Sequence, residues 1–338
     1  MSGPARPWFT PLVPLYRLGL VMRERRLSSG REPVWQLQWP VVSIGNLSTG
    51  GTGKTPLTIA LAKALVARGV HVDVLSRGYG RTGKGTALVQ KDGSADRFGD
   101  EPLLIARATG VPVYVDRQRY EAGLLAESEQ RPEGPAVHLL DDGFQHRQLH
   151  RDINILLFNL RDWGDELLPA GNMRESFHAA VRANVIAIPA EEPELEAGLR
   201  YFLHRDGWQG QFWKLHRRME VPTLAGSAVA FCGIARPKQF FAGLEAAGVK
   251  LAARIPFPDH HRYTQKDLDR LQAALRTAGA STLLTTEKDA VRLGSMVRDL
   301  PLKTVPLRTE IEDEAAAVDW LLEQLPDRLK SGKINRKI

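Results

Sequence analysis

Apolar β-branched runs alternate with helical periodicities over the first 200 residues of the chain. The runs predict strands at 41–44, 70–75, 86–89, 113–115, 137–140, 153–158 and 185–188, with helices at 56–68, 101–109 and 119–127 between them. This alternation predicts an α/β protein whose strands are mostly parallel. From 212 to 222 the pattern breaks into short alternating segments, read as a connecting ribbon. A second series follows: strand 228–232, helix 238–247, strand 249–255, helix 265–278, strands 282–285 and 304–306, and a closing helix 314–325. The expected organisation is an N-terminal segment 1–30, a large α/β domain 31–210, a β-ribbon linker 211–223, a smaller α/β domain 224–328 and a basic tail 329–338. No internal repeat is present.

The N-terminal segment has a pattern of its own. Trp8, Phe9, Leu12, Val13, Leu15, Leu18, Val21 and Met22 are apolar, and Pro14 is placed to open a helix. Leu15, Leu18 and Met22 recur at helical spacing, and Arg23-Glu24-Arg25-Arg26 follows. An apolar face bordered by Trp and Arg suits the surface of an anionic membrane. The competing reading is a helix docked on the protein's own core.

Composition narrows the function classes. The chain has 338 residues, 43% hydrophobic and 25% charged, as in a folded protein with a large core. Cys232 is the single cysteine, which excludes an internal disulfide framework and a cysteine-based zinc site and points to a reducing compartment. There is no secretory-signal pattern and no apolar run of about 18 residues that would span a bilayer. The net charge is +7; residues 1–31 hold six arginines against Glu24, and the tail adds Lys330, Lys333, Arg336 and Lys337. The basic residues are not interleaved with aromatics and no nucleic-acid motif occurs, so nucleic acid is not an expected partner. Nor is an obligate protein partner indicated.

The strongest chemical signal is the strand and loop Val41-Val42-Ser43-Ile44-Gly45-Asn46-Leu47-Ser48-Thr49-Gly50-Gly51-Thr52-Gly53-Lys54-Thr55-Pro56. Its ending matches G-x-x-x-x-G-K-[ST], with Ser48 in place of the first glycine. Glycines let backbone N–H groups turn toward an anion, and the following helix directs its positive end to the same point. Ser48, Thr49, Gly50, Gly51, Thr52 and Gly53 are therefore expected to cradle the phosphates of a nucleoside triphosphate. Lys54 would reach the β- and γ-phosphates, and Thr55 would ligate Mg²⁺.

A second signal is the buried strand that ends in Asp141-Asp142-Gly143-Phe144-Gln145-His146. Adjacent carboxylates at a strand end do not belong to an apolar core, and they suit Mg²⁺ or its waters. Gln145 and His146 are candidates for the same pocket. Ser76-Arg77-Gly78-Tyr79-Gly80-Arg81 offers Arg77 and Arg81 as phosphate ligands. Asp100, in Gly99-Asp100-Glu101-Pro102, reads by spacing as a helix cap. Asp259-His260-His261 lies before a helix, and neighbouring side chains there diverge, so zinc is not expected. Leu168-Pro169-Ala170-Gly171-Asn172-Met173-Arg174-Glu175 and Thr286-Glu287-Lys288-Asp289-Ala290 are polar segments of ambiguous role.

Taken in order, these motifs, together with Cys232-Gly233-Ile234-Ala235-Arg236-Pro237, resemble the tetraacyldisaccharide 4′-kinases of lipid A biosynthesis. Ser48 is usual in that family, whereas Asn172-Met173 stands where Pro-Leu is expected. The resemblance implies a phosphate-loop kinase domain and a second α/β/α domain joined by a β-ribbon, with an N-terminal interfacial helix. It implies transfer of the ATP γ-phosphate to the 4′-hydroxyl of tetraacyldisaccharide 1-phosphate, giving lipid IVA. The setting implied is peripheral, on the cytoplasmic face of a Gram-negative inner membrane. It also implies that Asp100 and His260 are the catalytic pair. Asp141, Asp142 and Glu175 remain alternatives for direct Mg²⁺ ligation, and Arg77, Arg81, Gln145, His146 and Arg174 are candidates for binding substrate or phosphate. A nucleotide switch such as a phosphate-loop GTPase or metallochaperone is the main alternative. Against it, Thr286-Glu287-Lys288-Asp289 lacks the spacing of a guanine reader.

Overall fold

The computed structural model describes residues 6–297 and 300–326; the basic tail 329–338 lies outside them. Apart from three short 3₁₀ stretches (Pro7–Leu12, Phe177–Arg182 and Gly294–Val297), the elements begin with α1 (Val13–Ser28), β1 (Val41–Asn46), α2 (Lys54–Ala67), β2 (His71–Ser76), β3 (Ala87–Leu88), α3 (Ala95–Phe98) and α4 (Asp100–Thr109). Then follow β4 (Val113–Val115), α5 (Arg119–Glu129), β5 (Ala136–Asp141), β6 (Ile153–Leu157), β7 (Val185–Pro189), α6 (Pro193–Arg205) and β8 (Gln211–Met219). The remainder is β9 (Ala228–Cys232), α7 (Pro237–Ala246), β10 (Leu251–Pro256), α8 (Gln265–Thr277), β11 (Thr282–Thr286), α9 (Glu287–Leu293), β12 (Leu302–Val305), β13 (Leu307–Ile311) and α10 (Glu314–Gln324).

Nine strands form one sheet in the order β13-β8-β7-β6-β1-β5-β2-β4-β3. It is parallel except at its edges, where β13 pairs with β8 and β3 with β4 in antiparallel fashion. Its central strands are buried on both faces, which explains their continuous Val/Ile/Leu runs. Leu57, Leu61 and Leu65 of α2, Leu103 of α4 and Val318 of α10 cover one face. Ala122 of α5 and Leu195 and Leu199 of α6 cover the other. The second sheet, β10-β9-β11-β12, is wholly parallel, with Phe240 and Leu244 of α7 on one side and Leu268 and Leu271 of α8 on the other.

Two features depart from the sequence pattern. The segment expected to be a linker ribbon from 211 is a nine-residue strand of the large sheet, because β13 supplies an antiparallel partner from almost 90 residues further on. The single strand expected at 304–306 is two strands in different sheets. Pro306 lies between them and has no N–H for a ladder, so pairing ends there and the chain crosses back to the large domain. There α10 closes against α2, and Trp320 meets Trp213 edge-on. Both crossings run side by side, and Glu220 N–H donates to the Pro306 carbonyl at 2.9 Å.

The N-terminal helix does two things at once. Val13, Tyr16 and Leu20 pack on the core, and the Tyr16 hydroxyl donates to the Arg174 carbonyl at 2.9 Å. Trp8 (91% exposed), Phe9, Leu12, Leu15, Leu18, Val21 and Met22 face outward. No helix among the described residues is long and apolar enough to cross a membrane.

Candidate active site

The phosphate-type loop leaves the carboxyl end of β1, which lies between β5 and β6. Gly45 permits this packing, since a Cβ there would come within 2.5 Å of the Phe144 Cβ. Gly53 holds φ +94°, a left-handed value that L side chains rarely adopt, and leads directly into Lys54, the first residue of α2. Ser48 is buried and its side chain hydrogen-bonds to Asp162, a contact that glycine cannot make. Asn46 organises the loop from below. Its amide nitrogen donates to the Ser48 carbonyl at 2.7 Å, and its carbonyl oxygen accepts from Lys54 Nζ at 3.0 Å. The Thr49 N–H donates to the Asn172 carbonyl, and Arg217 of β8 donates to the Thr52 carbonyl.

Asp141 and Asp142 end the neighbouring strand, with Ile44 and Asp141 in register. Asp141 is buried and accepts from the Thr58 hydroxyl of α2 at 3.1 Å. Burial and the nearby carboxylates of Glu101 and Asp142 push its carboxyl well above the ordinary range. Asp142 has φ +51°, a costly backbone for a residue with a Cβ. That turn places its carboxylate 3.4 Å from Lys54 Nζ and 3.1 Å from the Arg174 guanidinium. The donor set suits a hard divalent cation: a helix-terminal Thr55 hydroxyl and two adjacent carboxylates, one of them without a cation of its own.

The third component is assembled across the two domains. Asp100 opens α4 on the large domain, and His260 sits in the loop after β10 of the small one. His260 Nδ1 lies 3.3 Å from Asp100 Oδ2. His260 has φ +56°, the other non-glycine residue with a left-handed backbone among the described residues. Arg292 of α9 donates to Asp100 Oδ2 through Nε at 2.9 Å, and also to Asp289 and the Gly233 carbonyl. Lys288, one turn earlier, pairs with Glu101. Burial alone would raise the Asp100 carboxyl, but the His260 hydrogen bond and the charges of Arg292 and Lys288 hold it well below the usual range. The Asp100 contact in turn raises His260. Asp100 is not the cap position, which is Gly99; its Oδ1 nevertheless accepts from the Glu101 N–H at 3.0 Å. His261 turns away to Asp267 at 3.1 Å, so the adjacent histidines do not converge.

Other expected residues divide into those drawn to this cleft and those held elsewhere. Gln145 joins it, bonding Arg174 through Oε1 and the Asn46 carbonyl through Nε2. His146 lies 3.5 Å from Arg119, and burial and surrounding arginines push it down to about 3. Arg77 is exposed beyond β2. Glu175 is not brought to the aspartates: its carboxylate is neutralised by Arg182 at 2.5 Å. Arg81 folds back on its own loop and donates to the Gly85 carbonyl. Sequence reading missed Thr58, Glu101, Lys288 and Arg292. Thr58 lies one turn beyond Lys54 and was open to inference; the other three acquire their roles through contact between domains.

Residues 5–326 match the family model described as tetraacyldisaccharide-1-P 4′-kinase. The chain is 39% identical over 329 residues to a tetraacyldisaccharide 4′-kinase of Koribacter versatilis, covering 94% of this chain and 99% of that one. It is 41% identical over 299 residues to one of Geobacter metallireducens, covering 84% and 88%. Its fold is similar to the crystal structure of LpxK from Aquifex aeolicus in complex with ATP, with a TM-score of 0.75 and 32% identity over 94% of this chain and 98% of that one.

Proposed function

The chain belongs to the tetraacyldisaccharide-1-P 4′-kinase family, and we propose that it transfers the γ-phosphate of ATP to the 4′-hydroxyl of a tetraacylated glucosamine disaccharide 1-phosphate, giving lipid IVA and ADP. The observation that carries the reading is the meeting of Asp100 with His260 across the domains, close to Lys54 and Asp142: Glu101, next to Asp100, is near enough to Asp141 to raise its carboxyl. A nucleotide switch has no need of an acid–base pair there.

In this reading Ser48–Thr55 backbone N–H groups and Lys54 bind the β- and γ-phosphates. Thr55, Asp141 and Asp142 would hold Mg²⁺, which supplies charge neutralisation on the phosphates. Asp100 orients the sugar hydroxyl and takes its proton as the oxygen bonds the γ-phosphorus and the bond to the β-phosphate oxygen breaks. His260 fixes the Asp100 carboxylate and shares the acquired proton. A carboxylate held below its usual range is a weak base. That suffices where the transition state is loose and catalysis rests on positioning more than on activating the nucleophile. Because the two halves come from different domains, domain closure would complete the site and shed water, which restrains ATP hydrolysis. Arg77, Arg174, Gln145 and His146 would face substrate or phosphate. The outward apolar face of residues 8–22, followed by Arg23, Arg25 and Arg26, would rest on an anionic membrane at the cytoplasmic side, where a substrate's acyl chains remain in the bilayer.

Incubation with γ-labelled ATP and the disaccharide lipid in detergent micelles tests the reaction. Label is expected on the lipid; ATP hydrolysis without labelled lipid would overturn the proposal.

A further inference from the structure

Arg292 makes more bonds than the pairing of one carboxylate requires. It lies in the last turn of α9 on the small domain, and its side chain is 8% exposed. Its NH1 is held within its own domain, donating to the Asp289 carboxylate at 3.0 Å and to the Gly233 carbonyl. Asp289 is wholly buried and is fixed in turn. Its Oδ1 accepts from the Tyr263 hydroxyl at 2.9 Å and the Gly233 N–H at 3.0 Å, and its Oδ2 accepts from the Thr286 hydroxyl at 2.6 Å. The small domain therefore sets the plane of the guanidinium. The other edge, Nε and NH2, is presented across the domain boundary to Asp100.

Asp100 receives that edge unevenly. A guanidinium facing a carboxylate in fork geometry ordinarily gives one N–H to each oxygen. Here Nε, at 2.9 Å, and NH2 both go to Asp100 Oδ2, and His260 Nδ1 stands 3.3 Å from the same atom. Among the described residues, Oδ1 accepts only from the Glu101 N–H, at 3.0 Å. Each oxygen of an ionised carboxylate has two lone pairs to offer. Oδ2 is thus saturated, and Oδ1 keeps one lone pair open. The charged and titratable groups that face Asp100 from the small domain are Arg292, Lys288 and His260, and Glu101 stands beside it on α4. Of these, Arg292 is the one that takes hold of Oδ2 with two donors.

We propose that Arg292 is a positioning residue for phosphoryl transfer: it grips Asp100 Oδ2 across the domain boundary and so keeps Oδ1 as the oxygen that meets the acceptor hydroxyl. This deepens the kinase reading above and rests on it. As the hydroxyl oxygen bonds the γ-phosphorus and the bond to the β-phosphate oxygen breaks, the hydroxyl proton passes to Asp100 at Oδ1. Arg292 does not touch the substrate. It acts by stopping a carboxylate that would otherwise turn about its Cβ–Cγ bond. Because the grip needs both domains, Asp100 is aimed only when they are together, which ties the orientation of the base to closure.

The test uses γ-labelled ATP and the disaccharide lipid in neutral micelles. Arg292→Gln is expected to lower kcat by about ten- to a hundredfold and to leave the KM for ATP within about twofold, since a misdirected base costs the transition state and not nucleotide binding. It should also move the acid limb of the kcat profile up by at least about one pH unit, because removing the cation lets the Asp100 carboxyl rise. Arg292→Lys keeps the charge and loses the planar fork. Its acid limb should stay where the intact enzyme has it, while kcat still falls about tenfold. In the Asp100→Ala background, Arg292→Gln should cost less than about twofold more, since its effect runs through that carboxylate. A purely structural role predicts equal losses with and without Asp100, an unmoved acid limb or a raised KM for ATP, and any of these would overturn the assignment. Should Arg292→Gln fail to fold by circular dichroism, Arg292→Lys decides alone, and undiminished turnover in it overturns the proposal. If the intact enzyme leaves the lipid unlabelled, the kinase reading falls and this inference with it. If it labels the lipid and the Arg292 variants match it, the kinase stands and the positioning role falls.

Discussion

His138 is wholly buried in β5, three residues before the aspartates, between two carboxylates. Its Nδ1 is 2.7 Å from Asp73 of β2 and its Nε2 is 3.3 Å from Glu127 of α5, while Trp39 stacks on the ring at 4.9 Å. Burial alone would lower the imidazole, but Asp73 and Glu127 outweigh it and raise it from 6.5 to about 9. At about 1.4 kcal/mol per pH unit, this gap corresponds to about 3 kcal/mol of folding stability. Because the folded value is the higher one, that stabilisation is fully present below about 6.5 and is lost as pH rises through about 9. Between pH 7.5 and 10 the expected loss from this group is about 2 kcal/mol. A triple variant, His138→Leu, Asp73→Asn and Glu127→Gln, lacks the titrating cluster and serves as the reference for all other alkaline titrations. Urea denaturation of both proteins at the two pH values should show the difference in unfolding free energy shrinking by that amount. An imidazole NMR titration should place His138 near 9. A value below about 7, or a stability difference indifferent to pH, would refute the account. His138→Leu alone should be worse than the triple variant, by about 3 kcal/mol or more, because it leaves two carboxylates buried without their partner.

Other expectations follow from the site. Lys54→Ala should cut turnover at least about a hundredfold in the γ-label assay, with an unchanged melting temperature, as removal of a charge aimed at the transferred group predicts. Asp100→Ala should cost at least about a hundredfold in kcat; near-normal turnover in a folded variant would leave Asp100 a structural role, through its contacts with Arg292, His260 and the Glu101 N–H. Gly53→Ala should weaken ATP binding at least about tenfold by calorimetry, because φ is +94° and the new Cβ would approach the Arg217 guanidinium at 3.0 Å. Trp8→Ser with Leu15→Ser removes exposed apolar area and should reduce co-sedimentation with anionic vesicles while leaving micellar kinase activity nearly intact; unchanged sedimentation would dissociate this face from the membrane.

Local chemistry was legible wherever one segment carried the whole requirement. The loop Ser48–Thr55 could be read directly, because glycine positions, a lysine and a helix start are consecutive. Asp141 and Asp142 were equally visible, since two carboxylates cannot finish an apolar strand without a polar purpose. Strands of the large sheet were visible because burial on both faces makes each a continuous apolar run. The alternating run from Gln211 was legible as a ribbon but its place in the large sheet was not, because its antiparallel partner β13 lies far along the chain and its other partner is β7.

What tertiary structure alone decided is which of many polar residues share a space. Asp100 by itself is a residue at a helix start, and His260 by itself is one of two adjacent histidines. Their 3.3 Å approach exists because α4 and α9 bring two domains together. Glu175 looked as suitable for a cation as Asp142 until Arg182 was found to neutralise it. Arg292 carried no sequence signal, because any helix arginine looks the same in one dimension; its bonds to Asp100 and Asp289, on either side of the domain boundary, mark it. A sequence by itself determines the backbone conformations its own residues favour and the faces they bury. Pairing of charges depends on distances between segments, and those are set only when the sheets and helices pack.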